Sequence, residues 1–312
     1  MATKKTSKKA PVKATAKKTA AAKTETKTTI KRVVTESVAA KSERTKLDSK
    51  LPNNLINIVI AEIVGTFILT LAALFASDIL SSMYVGFALM LIVTAIGGIS
   101  GAHVNPAVTF GLWSMRKLKT VLVPFYWGAQ FLGAMAAIVL IGSLTNGGFA
   151  LSFDQFSTFS WEIFAVELIG TAIFMFGISA VLQRKEIKAA GQAVGIGLAL
   201  MIGLVASGSL ASYVKGTAIA KLQKEQNTTQ KEKNGRTYPR EIYVSGATLN
   251  PAVALASTEK TDSQIRSNSP LPAEGEKSYS RFSLEVIVAT LIGAALGGNL
   301  FLLVNYRNKD EE

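Results

Sequence analysis

The sequence predicts an all-α membrane protein, with six transmembrane helices and two half-helices, each opening at an Asn-Pro-Ala (NPA) tripeptide, arranged as an inverted repeat. Three observations carry that prediction. Apolar runs of about 20 residues recur six times, and at 1.5 Å of rise per residue such a run crosses a hydrocarbon layer of roughly 30 Å. The segment GAHVNPAVT, Gly101 to Thr109, returns as GATLNPAVA, Gly246 to Ala254. A second echo pairs Glu62-Ile-Val-Gly65-Thr66 with Glu167-Leu-Ile-Gly170-Thr171. The offsets, 145 and 105, align the two halves once about 40 extra residues are allowed before the second NPA. Each half holds three spans, and an odd number forces the halves into opposite orientations, so that related sites face each other near the midplane.

The chain opens on residues 1–50, a Lys-, Ala- and Thr-rich stretch without an aromatic residue. It holds 15 of the 34 Lys and Arg against 4 of the 21 Asp and Glu, leaving 19 against 17 for the other 262 residues. The isoelectric point of 9.8 therefore belongs to this segment. Its apolar content is too small to offset the entropy of ordering, so it is expected to be a disordered basic tail, with residues 51–312 forming the channel domain. No apolar core of a secretory signal precedes Leu55, so no cleavage is expected there. Near an anionic lipid surface each Lys would contribute about 1 kcal/mol of attraction; the plainer reading is a solvated tail that fixes topology. The absence of cysteine and the single histidine exclude a disulfide framework, a thiolate metal site and a His-rich centre, so neither metal nor cofactor is expected.

The six spans read as Leu55 to Ala76, Tyr84 to Ser100, Val121 to Ile141, Ile163 to Leu182, Ala189 to Leu210 and Phe282 to Val304. Gly191 with Gly195, and Gly293 with Gly297, let helix backbones approach closely. Arg116, Lys117 and Lys119, then Arg184, Lys185 and Lys188, follow the second and fourth spans, whereas 77–82 and 144–160 carry no Lys or Arg. With the basic tail, this predicts a multi-pass protein of the cell membrane with both termini cytoplasmic. Ala211 to Val244 disagrees, with seven Lys or Arg against three acidic residues on the side that six spans make external. The helix count is taken to outweigh it. Glu62, Glu167 and Glu285 are expected in the opening turns of their helices.

Two apolar stretches, Val104 to Met115 and Leu249 to Thr258, are too short to span. Both open on Asn-Pro-Ala: Asn105-Pro106-Ala107 and Asn250-Pro251-Ala252. Asn caps the free backbone N–H groups of a helix start, and Pro at the first helical position lacks a donor that would have had no partner there. Inversion points the two helix starts at each other. Non-helical backbone at 101–104 and 246–249 survives at membrane depth only where it lines a cavity, which predicts a polar pore.

Six spans, two NPA half-helices, a glutamate in the first helix of each half, and Tyr126-Trp-Gly-Ala-Gln130 with Gly133-Ala134 in the third span resemble the major intrinsic protein family, the aquaporins and glycerol facilitators. The resemblance runs from about residue 55 to 305. It implies a passive channel for glycerol, other small polyols and water, assembled as a homotetramer. It further implies that the Asn105 and Asn250 amides donate to solute oxygens, while the carbonyls of Gly101, Ala102, His103, Val104, Gly246, Ala247, Thr248 and Leu249 form an accepting ladder. Glu62 and Glu167 would then hold the loops from behind. The half-helix dipoles would put positive potential at the midplane and oppose cations, as in the pores for which this barrier is the standard example.

One part of the family pattern is missing. The arginine that directly follows the second NPA in relatives is Val253 here, and the aspartate after it in glycerol facilitators is Ala254. The other constriction positions fall on Val85, Ala247 and Ile202 or its neighbour Gly203, so every wall of the filter is expected to be aliphatic with no charged donor. Removing the arginine favours glycerol over strict water selection; a water-selective pore is the alternative. Gly98-Ile99-Ser100-Gly101 also spells the GxSG of intramembrane serine proteases, but its base would have to be His103 in the same loop, where that chemistry needs a histidine from another helix. An ion-coupled transporter would need ionisable residues in the spans beyond the three glutamates. His103 is read as orienting backbone, and Trp161 as an interfacial anchor.

Overall fold

A computed structural model describes residues 50–75, 80–144, 151–224, 236–267 and 272–306. The chain divides into Met1–Lys50 and Leu51–Glu312, and every helix and strand named below belongs to the second unit. The disorder and lipid attraction expected of the tail fall on residues 1–49, outside the described residues.

The first half comprises α1 (Leu55–Phe75), α2 (Ser81–Ser100), the half-helix α3 (Pro106–Ser114) and α4 (Val123–Leu144), the last entered through a 3-10 turn at Thr120–Leu122. The second comprises α5 (Trp161–Gln183), α6 (Ala189–Lys224), a short α7 (Arg240–Tyr243), the half-helix α8 (Pro251–Ala256), α9 (Asp262–Ser267) and α10 (Leu284–Val304). Strands β1 (Leu151–Ser152) and β2 (Ser278–Tyr279) pair in parallel. Six of these helices are long and apolar enough to cross a membrane. Contacts repeat between the halves: α1 packs on α2 and α4 as α5 packs on α6 and α10, and each half-helix lies against the third span of the other half. That exchange, together with the α2–α6 contact, joins the repeats.

Small residues make those contacts possible. A Cβ on Gly133 would sit 2.4 Å from the Ile63 carbonyl of α1, and one on Gly293 would sit 2.5 Å from the Leu168 carbonyl of α5, the same position 105 residues on. At the α2–α6 crossing, Gly86 receives Met201 and Gly197 receives Met90. Gly297 is tightest, 2.0 Å between a built Cβ and the Ala172 carbonyl, which is backbone and cannot yield. Gly297→Ala is therefore expected to destabilise by about 1 to 3 kcal/mol. Gly98→Ala, where a Cβ meets nothing within 4 Å, is expected to be neutral or slightly stabilising. Thermal unfolding in detergent checks the contrast, and equal melting temperatures would refute it.

Several sequence expectations are corrected. Only Glu285 lies in an opening turn; Glu62 is the eighth residue of α1 and Glu167 the seventh of α5, and both are fully buried. The second span starts at Ser81, three residues before the expected Tyr84. The fifth does not stop at Leu210: α6 runs 36 residues to Lys224, about 54 Å, and so projects well beyond a 30 Å hydrocarbon layer.

Part of the basic excess of the 211–244 segment also finds a physical reason. Arg236 lies between the rings of Tyr243 and Tyr279, 4.3 and 4.2 Å from their centroids, and pairs with Glu259 at 2.5 Å. Arg240 bonds Glu259 at 2.7 Å and also Glu285. Both arginines and both glutamates are buried. Two of the seven cations of the segment are thus spent inside a cap over the pore end and are not available to steer insertion. A buried cluster of this kind adds little net stability, because desolvation of the charges offsets their attraction.

Candidate functional site

Each re-entrant loop ends in a residue with left-handed backbone, Val104 at φ 43° and Leu249 at φ 54°, just before its asparagine. For a β-branched valine this conformation is strained. Asn105 Nδ2 donates to the Leu249 carbonyl at 2.8 Å, and Asn250 Nδ2 donates to the Val104 carbonyl at 3.0 Å. The side-chain oxygens cap their own helices: Asn105 accepts from the Ala107 N–H at 2.8 Å, and Asn250 from the Ala252 and Val253 N–H groups at 3.0 and 3.4 Å. Pro106 and Pro251 occupy the first helical positions, and Ala107 and Ala252 are fully buried behind them. The two NPA turns are thus stitched together by a reciprocal pair of bonds, and each amide keeps its second proton.

The glutamates stand behind the loops. Glu62 accepts from Ser100 Oγ (2.6 Å), the His103 and Val104 N–H groups (3.0 and 2.7 Å) and Gln130 Nε2 (2.8 Å). Glu167 accepts from the Thr248 N–H and hydroxyl (2.8 and 3.0 Å), the Leu249 N–H (2.9 Å) and Arg281 (2.9 Å). Each carboxylate thus accepts four bonds, two per oxygen at Glu62 but three on Oε1 and one on Oε2 at Glu167. His103 stacks on Tyr126 at 4.4 Å and meets the Thr109 hydroxyl through Nδ1 at 3.1 Å, while Tyr126 donates to the Ser100 carbonyl at 2.5 Å. Ser100 gives its proton to Glu62, so the serine and histidine of the GxSG reading face different partners. Trp161 is exposed and clusters with Phe159 and Phe164.

A cavity of about 600 Å³ runs from Ser81, Ser82 and Thr258 at the end opposite Leu55 and Val304 down to Asn105 and Asn250. His103, Val104, Gly246, Ala247 and Thr248 of the loops line it, as do Val85 and Val253. Gly101, Ala102 and Leu249 do not: Gly101 (φ 85°) ends α2 and folds under the His103 ring, and Ala102 and Leu249 are packed in the core. The carbonyls of Val104 and Leu249 each give one lone pair to the opposite asparagine, so these two ladder positions also act as clasps.

Two filter expectations change. Ile202 is 59% exposed on the outside of α6, and Gly203 is closed over by Gly170 and Leu249; Leu200, Leu204, Val205, Gly208, Ser209 and Ser212 of α6 line the cavity instead, and Leu204 is the one of these next to Gly203. Two positions along a helix turn the side chain by about 200°, enough to exchange pore for exterior. The walls are not wholly aliphatic either, because Arg281 lines the cavity. Sequence spacing missed Arg281 because it lies 31 residues beyond Asn250. The Thr258–Ser280 bridge, with the Arg281 N–H donating to the Ser257 carbonyl at 2.9 Å, carries it back beside the end of α8.

A family model described as major intrinsic protein matches residues 54–220, more than half of the chain and ending before the second NPA. Aquaporin NIP2-3 of Zea mays is 33% identical over 168 residues, covering 49% of this chain and 56% of its own. Aquaporin AqpM of Methanothermobacter marburgensis is 35% identical over 136 residues, covering 40% and 55%. The chain spans about half the length of the curated relatives it matches. The X-ray structure of the aquaglyceroporin from Plasmodium falciparum overlaps 80% of this chain and 94% of its own, at 20% identity and a TM-score of 0.46.

Proposed function

Because the chain belongs to the major intrinsic protein family, we propose that it is a passive membrane channel for small neutral solutes, carrying glycerol and other small polyols as well as water. Members of that family are channels and not enzymes, which removes the protease reading. The observation that carries the proposal is the cavity that the paired asparagines line. Along it Ser81, Ser82, Ser209, Ser212, Ser245 and Ser257 offer hydroxyls, while Val85, Leu204, Ala247 and Val253 offer apolar contact. A polyol presents both kinds of surface. Water needs only the first.

Stopped-flow swelling of vesicles containing the purified protein tests the reading: glycerol and water should each enter with a low activation energy and without an ion gradient. A dependence on such a gradient would favour a coupled transporter. Val253→Arg places a second guanidinium in the narrow part and is expected to cut glycerol flux more than water flux. An unchanged ratio would move the constriction away from Val253.

The site residues enter this reading in the roles the resemblance implies, with Leu204 in place of Ile202. Both termini are cytoplasmic in it, and the protein assembles as a homotetramer, with Ile56, Ile60, Phe87 and Leu91 exposed on α1 and α2 for lipid or neighbouring copies. Residues 1–50 are a separate basic tail that adds nothing to conduction; deleting them should leave flux per channel unchanged. A loss of flux at equal protein density would instead make the tail a gate.

A further inference from the structure

We propose that Arg281, delivered by the segment that precedes α10, is the residue that screens solutes at the mouth of the narrow pore. This rests on the channel reading above and names the group that sets its selectivity. Among the described residues Arg281 is the only Lys, Arg, Asp or Glu in the cavity lining. It is 7% exposed, so it is built into the wall and does not wave above it. Its main chain is held at both ends, the N–H on the Ser257 carbonyl and the carbonyl under the Ser283 hydroxyl at 3.3 Å.

One Nη2 bond at 2.9 Å to Glu167 is the side chain's only hydrogen bond among the described residues. A guanidinium has five N–H donors in a fixed fork, which leaves Nε and Nη1 for whatever occupies the cavity. The ion pair is a dipole. Its negative end is shared with the Thr248 and Leu249 N–H groups, and its positive end faces the lumen. A cation moving toward the asparagines meets that positive end while it is losing water. A neutral solute with hydroxyls instead finds donors on one side and Val85, Leu204 and Val253 as the aliphatic wall of the same cavity.

The cap around the pore end gains a purpose from this. The Thr258–Ser280 bridge sets the register that aims Arg281, and Glu259, next to that bridge, is clamped by Arg236 and Arg240. The insert and its buried ion cluster therefore position a filter cation from a part of the chain far from the NPA turn.

The test uses the full chain in vesicles, reading sodium leak together with glycerol and water permeability. Arg281→Met combined with Glu167→Gln removes the charge without leaving a buried carboxylate alone. It should raise sodium leak per channel about tenfold or more and lower glycerol permeability severalfold, since a thioether cannot donate. Arg281→Lys keeps the charge but loses the fork; sodium should stay excluded while glycerol permeability falls. A folded double variant with wild-type ion exclusion and glycerol permeability overturns the proposal. If the double variant fails to fold, unchanged glycerol permeability in Arg281→Lys overturns it as well. A wild type that conducts neither solute sinks the channel reading itself, a different result from a conducting wild type whose selectivity ignores Arg281.

Discussion

Replacing both Asn105 and Asn250 by alanine is expected to end selective conduction and to lower stability by roughly 3 to 6 kcal/mol. Each change removes a helix cap, and each removes the bond that crosses to the other loop. The Val104 and Leu249 carbonyls, both on fully buried residues, then lose their partners. They also sit in left-handed backbone that the cross-loop bonds help the two glutamates to hold in place. Serine at both positions separates the contributions, since a serine hydroxyl caps a helix but cannot reach the opposite loop. The serine pair should recover part of the melting temperature and none of the selectivity. If the alanine pair folds and conducts as wild type does, the asparagines have no place in the permeation path.

The second large effect is expected at the buried glutamates. Glu62→Leu strands four donors at once, from Ser100, His103, Val104 and Gln130. Glu167→Leu strands the Thr248 and Leu249 N–H groups and leaves the Arg281 charge without its partner. Breaking a buried pair from one side costs about 3 to 5 kcal/mol, so folded protein should be scarce for Glu167→Leu, and Glu62→Leu should follow it closely. The glutamine variants discriminate further. Each Glu62 oxygen accepts two bonds, so an amide at either end turns a donor against two donors. Glu167 Oε2 accepts only from Leu249, so its amide can point there and disturb one bond. Glu167→Gln should therefore unfold at a higher temperature than Glu62→Gln, and the reverse order would sink the counting of donors.

The sequence by itself was sufficient for the features that depend on short spacing. Six apolar runs long enough for a bilayer, an asparagine followed by proline at each half-helix, and two motifs repeated at offsets of 145 and 105 residues are local signals, written in consecutive residues. The caps at Asn105 and Asn250 form as that local chemistry requires. The glutamates could be singled out because they recur, although their depth was misjudged: apolar runs blur their own ends, and the helices begin two turns before Glu62 and almost two before Glu167.

Only the tertiary structure decided which side of a helix meets the pore and which distant segment completes it. Ile202 and Leu204 are equally apolar, and nothing local distinguishes them; packing of α6 against α2 and α5 turns Leu204 inward and Ile202 outward. Arg281 lies 28 residues beyond Val253 along the chain, yet a single bridge between Thr258 and Ser280 brings it into the cavity that Val253 also lines. The basic residues Arg236 and Arg240, which read as topological charge, are instead neutralised inside the cap by Glu259 and Glu285. Periodicity and capping are properties of neighbours in sequence, whereas a filter is assembled by helix rotation and by long-range pairing, and these are settled only when all the surfaces pack at once.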